Sequence, residues 1–408
     1  MPHLAPDDDS AWARFKSLWP LREGTTYLNH GSFGPPPEPV RAARRKWMEA
    51  LESQPMDFFV RQLEPAWRAA RDKLAAFVGA SAGDLIFVEN ATVGMNIVAD
   101  SFPLTGGDEV LLTDHEYGAV QRIWQRACAK AGAAAKIVEL PLPFRTAGET
   151  CDAIFAAAND RTRLVVVSHI TSPTAVILPV AEICRRARER GIALAIDGPH
   201  AVAQLPLAID PLGCDFYTAS CHKWLSAPFG SDFLRVAPRW QSLVRPPVLS
   251  WGRLPPTKID SWSDEFVWSG TRDPSAYLSI PAAIDFLETV GLDAFRQRTH
   301  WLAQYARRRL VELTGLEPIM PDDPAWYGSM AHVPLPPRSH PGSARPSDDT
   351  SSVSNPLQHT IWQCYDIEVP VIDFRGHRYI RVSCHLYNDT QQIDRLVAAM
   401  HELLQQGN

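Results

Sequence analysis

Between about residues 80 and 240 the chain alternates short apolar runs with helical stretches, and this alternation constrains the fold most. The runs are DLIFVEN (84–90), EVLLTD (109–114), RLVVVSHI (163–170), IALAIDG (192–198), CDFYTAS (214–220) and SDFLRV (231–236). Each is nearly continuous in apolar residues, as strands buried on both faces are. Between them LPVAEICRRARERG reads as a helix: Pro179 at its start, Val180, Ile183 and Ala187 on one face, Gly191 at its stop. A β-α-β succession of this kind implies a mostly parallel sheet covered by helices. Ligands of such sheets sit beyond the C-terminal ends of the strands, so the residues that end each run are the ones to examine.

The run IALAID ends in Asp197, and a carboxylate closing an apolar strand is costly without a partner. An Asp here serves either as a turn or helix cap or as the partner of a cationic ligand group, such as a protonated pyridine nitrogen. CDFYTAS leads into CHKWL, which places Lys223 26 positions after Asp197, one β-α-β step away. A lysine alone is ordinarily a surface charge. One held in a partly desolvated pocket can have a lowered pKa and form a Schiff base, and its pairing with Asp197 favours that reading over a surface charge.

After DLIFVEN, the residues Thr92, Val93 and Gly94 open a helix whose free N–H groups and dipole suit an anion. The other reading is a plain Thr or Asn cap. After EVLLTD come His115 and Tyr117, either of which offers a flat ring to a planar ligand. No G-x-x-x-x-G-K-[ST] and no G-x-G-x-x-G follows these runs, which disfavours a nucleoside triphosphate or dinucleotide. Lysine, aspartate, anion site and flat ring together are what pyridoxal 5'-phosphate requires.

Composition narrows the rest. The net charge of -6 over 408 residues speaks against binding a phosphate backbone, so no nucleic-acid partner is expected. The seven cysteines form no C-x-x-C pair, so neither a zinc site nor a disulfide framework is expected; Cys221 and Cys364 read as core residues. The opening MPHLAPDDDS has no apolar core and does not read as a signal peptide, and no run reaches membrane-span length, so a soluble, cytoplasmic protein is expected. The stretch from Pro334 to Pro356 is rich in Pro, Ser, Gly and Asp and reads as a flexible loop.

The motifs YLNHGSFGPPP, ENATVGMN, DHEYGA, SHITSPTA, IDGPHAVAQ, SCHKWL, WSGTRDPSA and IRVSCHLYN, in this order, make the chain resemble the class V aminotransferase family, fold type I enzymes that depend on pyridoxal phosphate. Within it the chain resembles the isopenicillin N epimerase-like branch. The resemblance implies an α/β fold: an N-terminal segment (1–30) over the pocket, a large domain (31–284) with a doubly wound, mostly parallel sheet, and a smaller C-terminal α+β domain (285–408) bearing the 334–356 loop.

It also implies roles. Lys223 carries the cofactor; Asp197 pairs with its ring nitrogen; Thr92, the Val93 backbone, Ser220 and His222 hold the phosphate. His115 stacks on the ring; Ser172 and His200 lie near its 3-oxygen. Thr271 reaches a phosphate across a homodimer interface. Arg381 clamps the substrate carboxylate, with Asn29 and His30 in the segment that covers the pocket. The substrate expected is a small or modified amino acid with a free α-carboxylate. Lys223 is the expected base at Cα, and His115 or Tyr117 the second acid. Epimerisation is the leading outcome, with C–S lysis or transamination as alternatives. Cysteine desulfuration is disfavoured, because the loop before the last strands carries no cysteine. A nonenzymatic cofactor-binding module is a remote alternative.

Overall fold

A computed structural model describes residues 4–337 and 355–407. Its strands are, in chain order, β1 (Thr26–Tyr27), β2 (Leu85–Val88), β3 (Glu109–Thr113), β4 (Ala134–Val138), β5 (Thr162–Ser168), β6 (Ala193–Asp197), β7 (Phe216–Ser220), β8 (Asp232–Val236), β9 (Met330–Pro334), β10 (Ile367–Glu368), β11 (Val371–Phe374) and β12 (His377–Ser383). Seven of them form one sheet in the order β2-β8-β7-β6-β5-β3-β4. Pairing is parallel from β7 through β4, whereas β8 runs antiparallel to both of its neighbours. The sheet is thus mostly parallel, as the apolar runs imply.

Each of the six runs read from the sequence forms a strand. The seventh, β4, escapes that reading because it lies at the sheet edge: Lys136 interrupts it and most of its residues are partly exposed. Helices cover both faces. In Val180–Glu189 the residues Val180, Ile183, Cys184 and Ala187 are buried, at the i, i+3, i+4, i+7 spacing of an amphipathic helix. Its outer face carries Glu182, Arg185, Arg186 and Glu189, joined by ion pairs.

A second, antiparallel sheet has the order β11-β12-β9 and packs against the long helix Leu292–Thr314. The N-terminal segment is bonded into this part of the chain. β1 pairs in parallel with β10, Leu28 N–H donates to Glu368 O, and Ser383 N–H donates to Leu28 O. The segment therefore reaches the central sheet's C-terminal edge from the side of the second sheet. Most of the loop read at 334–356 lies outside the described residues.

Candidate active site

The C-terminal ends of β2, β5, β6 and β7 open onto one cavity of about 520 Å³. Its walls come from three stretches of chain: the N-terminal segment (Ser32, Phe33), the strand ends and following loops (Thr92, Tyr117, Ser172, Asp197, His200, Ser220, His222, Lys223), and the second sheet (Ile372, Arg381).

The helix Ala91–Ser101 approaches this edge closely because residue 94 is glycine: a Cβ there would lie 2.2 Å from Thr218 Oγ1 of β7. Its start is organised by two side-chain oxygens, one of an amide and one of a carboxylate. Asn90 Oδ1 accepts from Val93 N–H at 2.9 Å, and Asp232 Oδ2 accepts from Ala91 N–H at 3.0 Å. The Val93 N–H read as a phosphate ligand is thus already engaged, and Val93 does not line the cavity. Thr92 does.

Asp232 also accepts from Cys221 N–H at 2.9 Å and lies 3.0 Å from His222 Nδ1. It ties the helix start to the turn that carries Lys223. The sequence reading missed it, although an Asp opening an otherwise apolar strand was its signal.

Lys223 is held at both ends. Its carbonyl accepts from His30 Nε2 at 2.9 Å and from Ser226 N–H at 2.8 Å. Its Nζ lies 3.1 Å from His200 Nε2. Burial and the nearby Arg381 guanidinium push the Lys223 amine down to about 8, against the opposing pull of Asp197 and Asp232. Burial likewise pushes the Asp197 carboxyl up, opposed by Lys223. No described residue donates a hydrogen bond to that carboxylate, which faces the cavity.

Arg381 is almost fully buried, at 3 % exposure. Ser172 O and Oγ accept from its Nη1, the latter at 3.4 Å, and Ser32 Oγ accepts from its Nη2 at 3.0 Å. Its Nε is buried without a partner, and among the described residues no carboxylate pairs with it. Burial pushes the guanidinium down to about 10. An uncompensated buried cation beside a cavity suits an anionic ligand group.

Several expected residues are placed elsewhere. His115 is fully buried outside the cavity, among Phe144 and Phe374, with Nδ1 2.7 Å from Thr174 Oγ1. Thr174 in turn meets Thr171 at 2.7 Å, so His115 braces the turn that presents Ser172 to Arg381. Of the two rings in DHEYGA, that of Tyr117 lines the cavity. Asn29 and His30 also point away from it: Asn29 bonds Glu368 and Ser32, while His30 bonds Tyr387 OH at 2.9 Å. Their neighbours Ser32 and Phe33 line the cavity instead. Thr271 is exposed and lies outside the cavity. Cys221 is buried as expected, whereas Cys364, read as core, is exposed at the end of the helix Pro356–Tyr365.

The site residues fit pyridoxal phosphate: an amine, an unpartnered carboxyl at a strand end, and polar groups at a helix start face one another across the cavity. A sheet of this order with such a site defines a fold type I enzyme. The family model of class V aminotransferases matches residues 36–396, and the chain belongs to this family of pyridoxal-phosphate enzymes. It is 37% identical to an isopenicillin N epimerase of Amycolatopsis lactamdurans, over 97% of this chain and 99% of that one. It is 32% identical to a putative L-cysteine desulfhydrase of Oryza sativa subsp. japonica, over 94% of this chain and 84% of the relative. Among solved structures it resembles a cysteine desulfurase from Thermococcus onnurineus, with a TM-score of 0.78, 19% identity and coverage of 96% and 98%. A cystine C–S lyase complexed with cysteine persulfide gives a TM-score of 0.75 at 22% identity, covering 95% and 99%. No described helix is long and apolar enough to cross a membrane.

Proposed function

We propose that the chain is an isopenicillin N epimerase-like enzyme that acts at Cα of an amino acid with a free carboxylate. The observation that carries this is the convergence of Lys223, Asp197 and Arg381 on one cavity. Bound there, pyridoxal phosphate supplies an electron sink for the electrons released at Cα. Lys223 holds the cofactor and then serves as base at the Cα–H. Asp197 keeps the cofactor's ring nitrogen protonated. Thr92, Ser220 and His222 hold the phosphate, and His200 and Ser172 flank the ring. Arg381 orients the substrate through its carboxylate, steadied by Ser32 and Ser172. With His115 outside the cavity, Tyr117 takes both roles read for that stretch: it would stack on the cofactor and would supply the acid for the second proton transfer.

The N-terminal segment and the C-terminal part from about residue 285 form the rest of the enclosure. A homodimer completes it, with Thr271 of one copy serving the other. Phe33, Tyr117 and Phe229 support this, being cavity-lining rings that are 63%, 50% and 47% exposed. C–S lysis is the second reading, favoured by the likeness to L-cysteine desulfhydrases. A desulfurase that stores sulfur on its own cysteine is disfavoured, because no cysteine lines the cavity among the described residues.

The test is incubation of the pure protein with a panel of L-amino acids in D2O. Cα deuteration with loss of optical rotation supports epimerisation, and release of pyruvate with a sulfur product supports the lyase reading. A colourless protein that takes up no added pyridoxal phosphate would sink both.

A further inference from the structure

We propose that Trp224 is a positioning residue that fixes His200 in its Nε2-protonated tautomer, so that His200 donates to Lys223 and favours its free amine over the ammonium. Trp224 is fully buried, and its Nε1 lies 3.2 Å from His200 Nδ1. An indole N–H can only donate, so His200 Nδ1 presents its lone pair. His200 is 2% exposed, and burial together with Lys223, Arg381 and His222 holds its imidazole neutral. A neutral imidazole carries one N–H, which the indole thereby assigns to Nε2. That atom is the one 3.1 Å from Lys223 Nζ. An N–H facing an ammonium would set donor against donor, so this contact favours the uncharged amine, the same direction in which burial and Arg381 push Lys223.

The surroundings of Lys223 make this contact decisive. Asp197 and Asp232 favour the ammonium, while Arg381 and burial oppose it. His222 faces the same group of residues, and His30 engages only the lysine carbonyl. Without the indole, His200 is free to move its proton to Nδ1 and turn an Nε2 lone pair toward Lys223. The contact would then favour the ammonium, which is inert toward an aldehyde. The inference rests on Lys223 being the amine that captures the cofactor, but the tautomer itself does not.

The experiment uses the full-length, cofactor-free protein labelled with 15N-histidine, the His200 signals being assigned by their absence in His200→Gln. Wild-type protein is expected to show an unprotonated Nδ1 and a protonated Nε2 at His200; a protonated Nδ1 would overturn the proposal whether or not any variant folds. In folded Trp224→Phe the two tautomers should mix, and an unchanged spectrum would refute the role of the indole. The pH profile of pyridoxal phosphate capture, followed by absorbance, should move up by about one unit in Trp224→Phe, so that capture near pH 7 slows about tenfold. A general slowing with an unmoved midpoint would show a merely structural role. Failure of wild-type protein to capture the cofactor would instead refute the reading of the site and leave the tautomer result standing.

Discussion

Arg381→Met separates substrate binding from folding. Arg381 is 3% exposed, and its guanidinium has hydroxyl and carbonyl partners but no carboxylate among the described residues. A charge buried without a counter-charge costs several kcal/mol, partly offset by its hydrogen bonds. Methionine of similar length should therefore leave the free protein as stable as before or more so. Against a substrate the balance reverses. Two charge-assisted bonds from the fork to a carboxylate, at roughly 1.5–2 kcal/mol each, sum to about 3–4 kcal/mol. Their loss should lower kcat/KM by roughly 10²–10³-fold. The assay is Cα–H exchange in D2O with the amino acid that exchanges fastest, set beside binding of the amine that lacks only the carboxylate. The amine should bind wild type and variant equally. An equal loss for both ligands, or a marked fall in Tm, would show that Arg381 holds the fold and not the carboxylate.

Gly34→Ala would place a Cβ 2.6 Å from His222 O and 2.7 Å from Lys223 O, so we expect a loss of ~1–3 kcal/mol in urea unfolding together with impaired cofactor capture. Tyr117→Ala should weaken cofactor affinity about tenfold, the worth of a stacking contact, while His115→Gln should lower Tm with little change in the cofactor's absorbance; the opposite pattern would return the stacking role to His115. Glu116 is buried between Thr113 and Ser168, and burial, with Asp197 adding, pushes its carboxyl up to about 7. A raised folded-state value contributes stability that is present below the unfolded value and is lost as pH rises through 7. Glu116→Gln should therefore gain on wild type by up to about 3 kcal/mol between pH 4 and 8 in denaturant titrations; a constant difference would refute this. His30 and His115, which burial holds down to about 3, have the opposite sign: their contribution is present above the ordinary value of 6.5 and lost on acidification, so wild-type protein should unfold more readily as pH falls below 6.

The strands of the central sheet were legible because burial on both faces leaves a continuous apolar run; β4 was not, because an edge strand need not have one. Lys223 and Asp197 were legible for the same reason. They are charges set at the ends of such runs, and strand direction brings them to one edge of the sheet. Side-chain direction just past a strand was not legible. DHEYGA offers two rings two residues apart, and only the packing of Phe144 and Phe374 shows that His115 turns inward. Asn29 and His30 were misplaced in the same way, by a segment whose next two side chains, Ser32 and Phe33, face the cavity instead. Cys364 was misread because HTIWQCY is helical but buries only part of its surface.

His30 still serves the site, through Lys223. The lysine carbonyl can only accept, so His30 carries its proton on Nε2 and accepts a hydrogen bond from the Tyr387 hydroxyl at Nδ1. Tyr387 follows β12, and β12 carries Arg381. The backbone of the reacting amine is thus bonded to the N-terminal segment, and through it to the part of the chain that bears the carboxylate clamp. Gly34 lets that segment lie directly on the His222–Lys223 backbone. A displacement of the second sheet would therefore reach both groups that meet the substrate, the guanidinium directly and the amine through His30. This strut is one of the links that set the distance between amine and clamp, so variants that cut it, such as Tyr387→Phe, should disturb substrate turnover before they disturb cofactor capture.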